Sequence, residues 1–510
     1  MKLFRLAIAG AVLMASLCAA QQVNPALNSR SREADIRGFY WMPTAVADDY
    51  FDGTSSRERV RRHMQVAQQV GAKYLRCSFT WNAIENQRGK YNWKFWDMLV
   101  DEAERTNIKL IPYVAYTPEW AAGTPDQFWK RPPTDPKFYA DTMYQVARRY
   151  RGRIHSWEIW NEPDIEEYWM GSTERFAELV RLAAAAIRKA DPNATLVLAG
   201  MSKGPSPFFR ELIEKYDVEK LVDVIAMHGY PESWLEERAE TVHQSWVDKM
   251  ADLLEADGAR QDLWLNEIGY ADYRFSPTLA NKYGVTAPFP HEHTPQYAAT
   301  ALFKAQVMAL ASGKVTLTGW YRIDDFDPKT TTFSDDHVNF HLGLLDYRGK
   351  RKPTFYALRY FNKLFDKPSR ALAARTLSSA AMESNAVVNV IERADDRVVV
   401  VAWLRSLNRD ETDADGTEID ARHETAAVQL PCSRISDMRV TDAQGNAAAA
   451  FTTFQNGWLD GLELRPDRIF IASMQCDADT TAFAVVPGIT KNIVGANPSR
   501  SGVNSSSDRE

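Results

Sequence analysis

From about Ile36 to Phe365, short apolar runs alternate with longer stretches whose apolar residues recur every three or four positions. The short runs Ile36–Trp41, Tyr74–Phe79, Lys109–Val114, Ile154–Trp160, Thr195–Ala199, Val222–His228, Leu263–Glu267 and Gly319–Ile323 read as strands. Ser56–Val70, Lys94–Arg105, Pro136–Arg149, Thr173–Ala190, Ala239–Glu255 and Pro295–Ser312 read as amphipathic helices between them. Strand then helix, eight times over, is the pattern of parallel βαβ units. Over this length it predicts the α/β class, as a (β/α)8 TIM barrel with some insertions. An open doubly wound sheet is the competing arrangement, but no Gly-x-Gly-x-x-Gly turn follows the first strand.

The pattern changes after Phe365. Asp366-Lys367-Pro368-Ser369 ends the helical periodicity, and short Val-rich alternations follow at Ala386–Ile391, Arg397–Leu404, Ala426–Leu430, Met438–Thr441 and Arg468–Ala472. Turn material at Asp410–Gly416 and Asp442–Asn446 divides them, which predicts a small C-terminal all-β, sandwich-like domain. Gly495–Glu510 is rich in Ser, Asn and Gly and reads as disordered. The expected organisation is a signal peptide over 1–20, the barrel over 21–365, the β domain over 366–488 and a flexible tail over 489–510.

The signal reading rests on Lys2 and Arg5, the apolar run Leu6–Leu17 and the small-residue site Cys18-Ala19-Ala20. That run is too short to span a bilayer, which needs about 20 residues. Export to the periplasm or beyond is expected, with lipid anchoring through Cys18 as the minor alternative; bulky Leu17 before it argues against the anchor. Cleavage would leave Cys77 in an apolar stretch, as a buried thiol, and Cys432 with Cys476 as candidates for a disulfide. A net charge of −6 and the lack of any basic run argue against nucleic acid as a partner. Fifteen Trp beside 20 Tyr and 23 Phe permit sugar stacking without requiring it.

Two segments each put a carboxylate at the C-terminal end of a predicted strand: Trp157-Glu158-Ile159-Trp160-Asn161-Glu162-Pro163 and Trp264-Leu265-Asn266-Glu267-Ile268-Gly269-Tyr270. In a parallel barrel that is the active-site face. Glu162 ends the fourth strand and Glu267 the seventh, so they face each other across the mouth. Two converging carboxyls, one protonated and one ionised, are what glycosidic cleavage requires. Taken singly, Glu162 could merely open a helix before Pro163, and Glu267 could merely pair with Arg76.

Together these residues resemble the retaining (β/α)8 glycoside hydrolases of the cellulase and β-xylosidase clan. The β-xylosidase-related family, with its bacterial exopolysaccharide endoglycosidases, is the nearest resemblance, over roughly residues 36 to 365. It implies Glu162 as general acid/base, Glu267 as nucleophile and Asn161 on the sugar 2-hydroxyl. Arg76 resembles the arginine that keeps the nucleophile ionised, His228 and Tyr230 the His-x-Tyr pair beside it, and Trp320 the platform under the sugar. Asn266 departs from the pattern, since many relatives carry Thr there. Trp41, Trp81, Trp120 and Trp169 are further candidates for lining the cleft, with burial in the core as the alternative.

No cofactor or metal is expected. His291-Glu292-His293 lacks the helical spacing of a zinc site. Asp324, Asp325, Asp327, Asp335 and Asp336 match no EF-hand loop and read as a solvated acidic rim. The expected substrate is a β-linked polysaccharide or oligosaccharide cut by an endo-acting monomer. An exo-acting β-glycosidase and a non-catalytic glycan-binding barrel are the alternatives.

Overall fold

Eight strands buried on both faces close into a parallel barrel: β1 (Thr44–Asp48), β2 (Tyr74–Thr80), β3 (Lys109–Ala115), β4 (Ser156–Ile159), β5 (Thr195–Met201), β6 (Val224–Gly229), β7 (Asp262–Ile268) and β8 (Val315–Tyr321). β1 pairs with both β2 and β8, which completes the ring. The computed structural model describes residues 38–235, 237–259, 261–273, 292–329, 331, 337–373, 376–378, 385–406, 422–448 and 452–478. The signal segment, Cys18, His291, Asp335, Asp336, the turn 410–416 and the tail 495–510 all lie outside the described residues.

Where the chain carries a cap, the helix bounds follow from it. Asp135 accepts from the Lys137 amide with Pro136 in the first turn, and Pro136–Arg149 is helical. Ser172 caps Thr173–Ala190, and Thr294 caps Pro295–Ser312, by the same bond to a backbone amide. Ala239–Glu255 instead breaks into a π-helical turn, Thr241–Ser245, and a helix, Trp246–Ala256. Pro207–Glu214 is a further helix that the apolar spacing did not reveal.

Two strands differ from expectation. The first runs over Thr44–Asp48, after the expected Ile36–Trp41. Tyr40 pairs with Ser369 of the C-terminal domain instead, so the stretch before β1 bridges two domains. The eighth begins four residues before the expected Gly319, at Val315.

The C-terminal strands form two antiparallel sheets. β9 (Ser369–Leu372), β11 (Ala386–Arg393), β12 (Arg397–Leu404), β14 (Cys432–Thr441) and β17 (Phe470–Ala478) make one. β10 (Thr376–Ser378), β13 (Glu424–Gln429), β15 (Thr453–Gln455) and β16 (Trp458–Leu464) make the other. Alternation along β12 separates its neighbours. Val398, Val400, Ala402 and Leu404 pack in the sandwich core, while Val399, Val401 and Trp403 join the barrel's core. A disulfide joins Cys432 to Cys476, and Cys77 is a buried free thiol.

Asp324 and Asp325, expected as part of a solvated acidic rim, are instead buried. Asp324 is buried against Arg62 (2.5 Å) and His63 (2.9 Å), which come from the helix Arg57–Val70. Asp325 is buried against Lys352 at 3.0 Å. Cations from neighbouring elements turn both into ion pairs. Glu292 likewise bonds Arg238 at 2.5 Å, and His293 stacks on Tyr270 and Tyr273.

Candidate active site

Strand alternation sends Arg76, Glu158 and Asn266 into the barrel, where no one of them is stable alone. Arg76 directs Nε and a terminal nitrogen at the two oxygens of Glu158, at 2.8 and 2.9 Å. Asn266 donates to Glu158 at 2.9 Å, and so does the Gly200 amide at 3.0 Å. Glu158 thereby anchors a buried guanidinium whose other donors reach Asn161, at 2.7 Å, and Glu267. The sequence reading assigned Glu158 no role. Its signal was a charge at an inward position of a buried strand, which requires a partner.

Glu162 and Glu267 converge above this base. Glu267 accepts from Arg76 on one oxygen and from the Tyr230 hydroxyl on the other. Glu162 shares a 2.7 Å hydrogen bond with His228 Nδ1, which lies 3.8 Å from Glu267. His228 and Tyr230 therefore divide between the two carboxyls instead of both serving one. Trp160 (φ 75°) and Glu162 (φ 41°) take left-handed backbone, a local strain that re-aims the chain at the end of β4. The Glu162 amide is held by the Gly200 carbonyl at 3.1 Å.

The two carboxyls shift in opposite directions. Burial pushes the Glu162 pKa up; His228 offsets this only in part, and the charge of Glu267 adds to it. Burial also opposes ionisation of Glu267, but His228, Arg76 and Tyr230 together outweigh it and lower its pKa. Burial disfavours the charged imidazole of His228, yet Glu267 and Glu162 raise its pKa on balance. The site therefore favours the proton on Glu162 and the charge on Glu267.

One oxygen each of Glu162 and Glu267, and one His228 nitrogen, lie within 4.8 Å of one another. That spacing would also suit a metal ion. Here, however, the Glu267 oxygens already meet Arg76 and Tyr230, and His228 occupies one oxygen of Glu162.

These groups open into a cleft of about 1260 Å³ that includes Asn161, Glu162, Tyr230 and Glu267. Trp320 does not line it. It faces outward from β8 into the layer between sheet and helices, and the next residue, Tyr321, takes the cleft-facing position. Trp81 and Trp120 pack edge-on at 5.9 Å and both donate to Glu85, behind the cleft wall. Trp169 is buried under Trp160, and Trp41 borders a groove beside Lys73 and Asn362, at the opposite end of the barrel. Among the described residues, the exposed aromatics on the cleft are Phe51, Trp129 and Trp234, from the loops after β1, β3 and β6. Polar loop segments carry no periodicity, so nothing local marked them.

A closed parallel barrel with paired carboxyls at its C-terminal strand ends is the architecture of the (β/α)8 glycoside hydrolase class. Residues 38–429 match the family described as Glycosyl hydrolases family 39, and the chain belongs to that family. It is 23% identical over 340 residues to a β-xylosidase of Caldicellulosiruptor saccharolyticus, covering 61% of this chain and 66% of that one. It is 23% identical over 295 residues to a β-xylosidase of Geobacillus stearothermophilus, covering 54% and 57%. The match thus spans just under two thirds, or less, of these relatives' lengths. Among solved structures, a family 39 glycoside hydrolase of Bacteroides cellulosilyticus shares the fold with a TM-score of 0.62 at 16% identity, covering 86% of this chain and 81% of that one. A monomeric β-xylosidase of Caulobacter crescentus does so with 0.58 at 17%, covering 86% and 97%. Among the described residues no helix is long and apolar enough to cross a membrane.

Proposed function

We propose that this protein is an exported, endo-acting retaining glycoside hydrolase that cleaves β-glycosidic bonds of a polysaccharide. One observation carries the reading: Glu162 and Glu267 approach within 4.8 Å, oxygen to oxygen, with pKa values shifted apart. Retaining enzymes hold their carboxyls about 5–5.5 Å apart, whereas inverting ones leave about 6.5–9.5 Å for a water.

Glu267, kept ionised by Arg76, attacks the anomeric carbon while protonated Glu162 hands its proton to the departing oxygen. A covalent glycosyl-enzyme results. Glu162, now a carboxylate, takes a proton from water, which releases the sugar with its configuration retained. Asn161, which accepts from Arg76 at 2.7 Å, bonds the sugar 2-hydroxyl in this reading. The exposed rings of Phe51, Trp129 and Trp234 along the cleft support binding of a chain that runs past the cleavage point. The disulfide Cys432–Cys476 supports export, since such bonds persist in oxidising compartments. Exo-action is the second reading, favoured by the β-xylosidases among the relatives.

The test is reducing-end release from cellulose, xylan, mannan, β-1,3-glucan and bacterial exopolysaccharides, with Glu267→Gln beside wild type. Loss of at least about a thousandfold in the variant is expected. Activity that survives the substitution sinks the Glu267 assignment. Product sizes decide the mode of action: mixed oligosaccharides early in the reaction fit endo-cleavage, and monosaccharide alone fits exo-cleavage.

A further inference from the structure

The nucleophile's side of the cleft presents hydrogen-bond acceptors. Asp49, the residue after β1, accepts from the Tyr113 hydroxyl at 2.6 Å and from the Tyr321 hydroxyl at 2.9 Å. A phenol carries one proton, so both are committed to Asp49 and the two tyrosine oxygens offer only lone pairs outward. All three residues line the cleft. Both tyrosines also lean on the partners of Glu267. The ring of Tyr113 carries the Arg76 guanidinium at 4.5 Å, and Tyr321 meets Tyr230 edge-on at 6.1 Å. Asp49 is thus tied, through Tyr113 and Tyr321, to the groups that hold Glu267.

We infer that Asp49 is a specificity-determining residue: its carboxylate, set by Tyr113 and Tyr321, accepts hydrogen bonds from free ring hydroxyls of the sugar at the cleavage point. This rests on the glycosidase reading and narrows it. A corner made of acceptors is matched by donors and repels a group that brings only lone pairs. The subsite therefore takes a sugar with unmodified hydroxyls at this edge and rejects one methylated, acylated or oxidised to a carboxylate there. A hydroxyl bonded to a charged carboxylate is held more strongly than one bonded to a neutral acceptor, which gives the discrimination its size. Burial and the nearby charge of Glu267 raise the Asp49 pKa to about 6, so the acceptor is ionised at neutral pH.

The test uses pairs of 4-nitrophenyl β-glycosides, each parent sugar beside its 3-deoxy and 4-deoxy forms, with wild type, Asp49→Asn, Tyr321→Phe and Glu267→Gln. Asp49→Asn keeps shape and replaces one acceptor with a donor. Wild type is expected to lose about tenfold to a hundredfold in kcat/KM when the recognised hydroxyl is removed. Asp49→Asn should lose a similar factor on the parent and then barely distinguish parent from deoxy sugar. Tyr321→Phe, which frees one Asp49 oxygen, should show a smaller loss on the same hydroxyl. A structural role would lower both substrates alike, so undiminished discrimination in Asp49→Asn overturns the inference. Turnover undiminished in Glu267→Gln counts instead against the glycosidase reading.

Discussion

Glu162 and Glu267 have the same side-chain chemistry, and their neighbours alone set them apart. The sign of the resulting pH dependence follows directly. In the proposed mechanism catalysis needs Glu267 ionised, so activity falls as pH drops through its lowered pKa. It needs Glu162 protonated, so activity also falls as pH rises through the raised pKa of that group. A bell-shaped kcat/KM profile is expected, and Glu162→Gln should remove the alkaline limb when an aryl glycoside with a good leaving group is assayed. An alkaline limb that persists in that variant would assign it to another group. Gly200 matters at the same scale. A Cβ there would lie 2.0 Å from His228 Nε2, so Gly200→Ala must displace the imidazole. The expected result is a loss of about tenfold or more in kcat with the alkaline limb moved up, because His228 no longer offsets the raised pKa of Glu162. An unchanged profile would show that His228 does not tune the acid.

At the scale of elements, the strands carry the charges and the loops carry the contacts. Asp324 joins the loop after β8 to the helix Arg57–Val70, and its pKa is lowered despite burial, by His63, Arg62 and Arg59. A lowered carboxyl contributes stability above its unfolded pKa and loses it as pH falls. Asp324→Asn should therefore cost about 1–3 kcal/mol at neutral pH, with the difference from wild type shrinking below about pH 4. Urea melts at both pH values check this. Trp129 gives a complementary prediction. If its exposed ring stacks on the polysaccharide, Trp129→Ala lowers polysaccharide turnover about tenfold and leaves a short aryl glycoside unaffected. Equal loss on both would place the effect in the fold instead. Most of these elements were legible in the chain from the apolar periodicity. The structure adds the caps, Asp135 before Pro136 and Thr294 before Pro295, that fix the starts of two of those helices. The first strand was not legible, since Thr44-Ala-Val-Ala-Asp48 is short and small and the aromatic stretch before it looked more strand-like.

For the whole molecule, Pro295–Ser312 shows why barrel and β domain belong together. Nearly every residue of this helix is buried. A helix apolar on all sides needs cover on all sides; the barrel supplies one side and the five-stranded sheet the other, through Val399, Val401 and Ile471. Lys304 reaches the Pro466 carbonyl at 3.0 Å, and Trp403 donates to Glu240 at 2.8 Å. A chain ending at Phe365 should consequently bind a hydrophobic dye and aggregate, whereas the full chain stays monodisperse. A soluble, cooperative truncated barrel would refute that dependence.

Periodicity and two strand-end glutamates were local properties, and they determined the barrel, the sandwich and the identity of the paired carboxyls. Each is written within a few consecutive residues, where backbone geometry is decided. Which ring faces the cleft, Tyr321 in place of Trp320, turned on strand register, and a shift of one residue reverses every side chain. The role of Glu158 under Arg76, the tethering of Asp49 and the division of His228 and Tyr230 between two carboxyls depend on strands far apart in the chain. Electrostatic shifts follow distance and burial in space, so only the closed barrel could decide which glutamate's pKa rises and which falls.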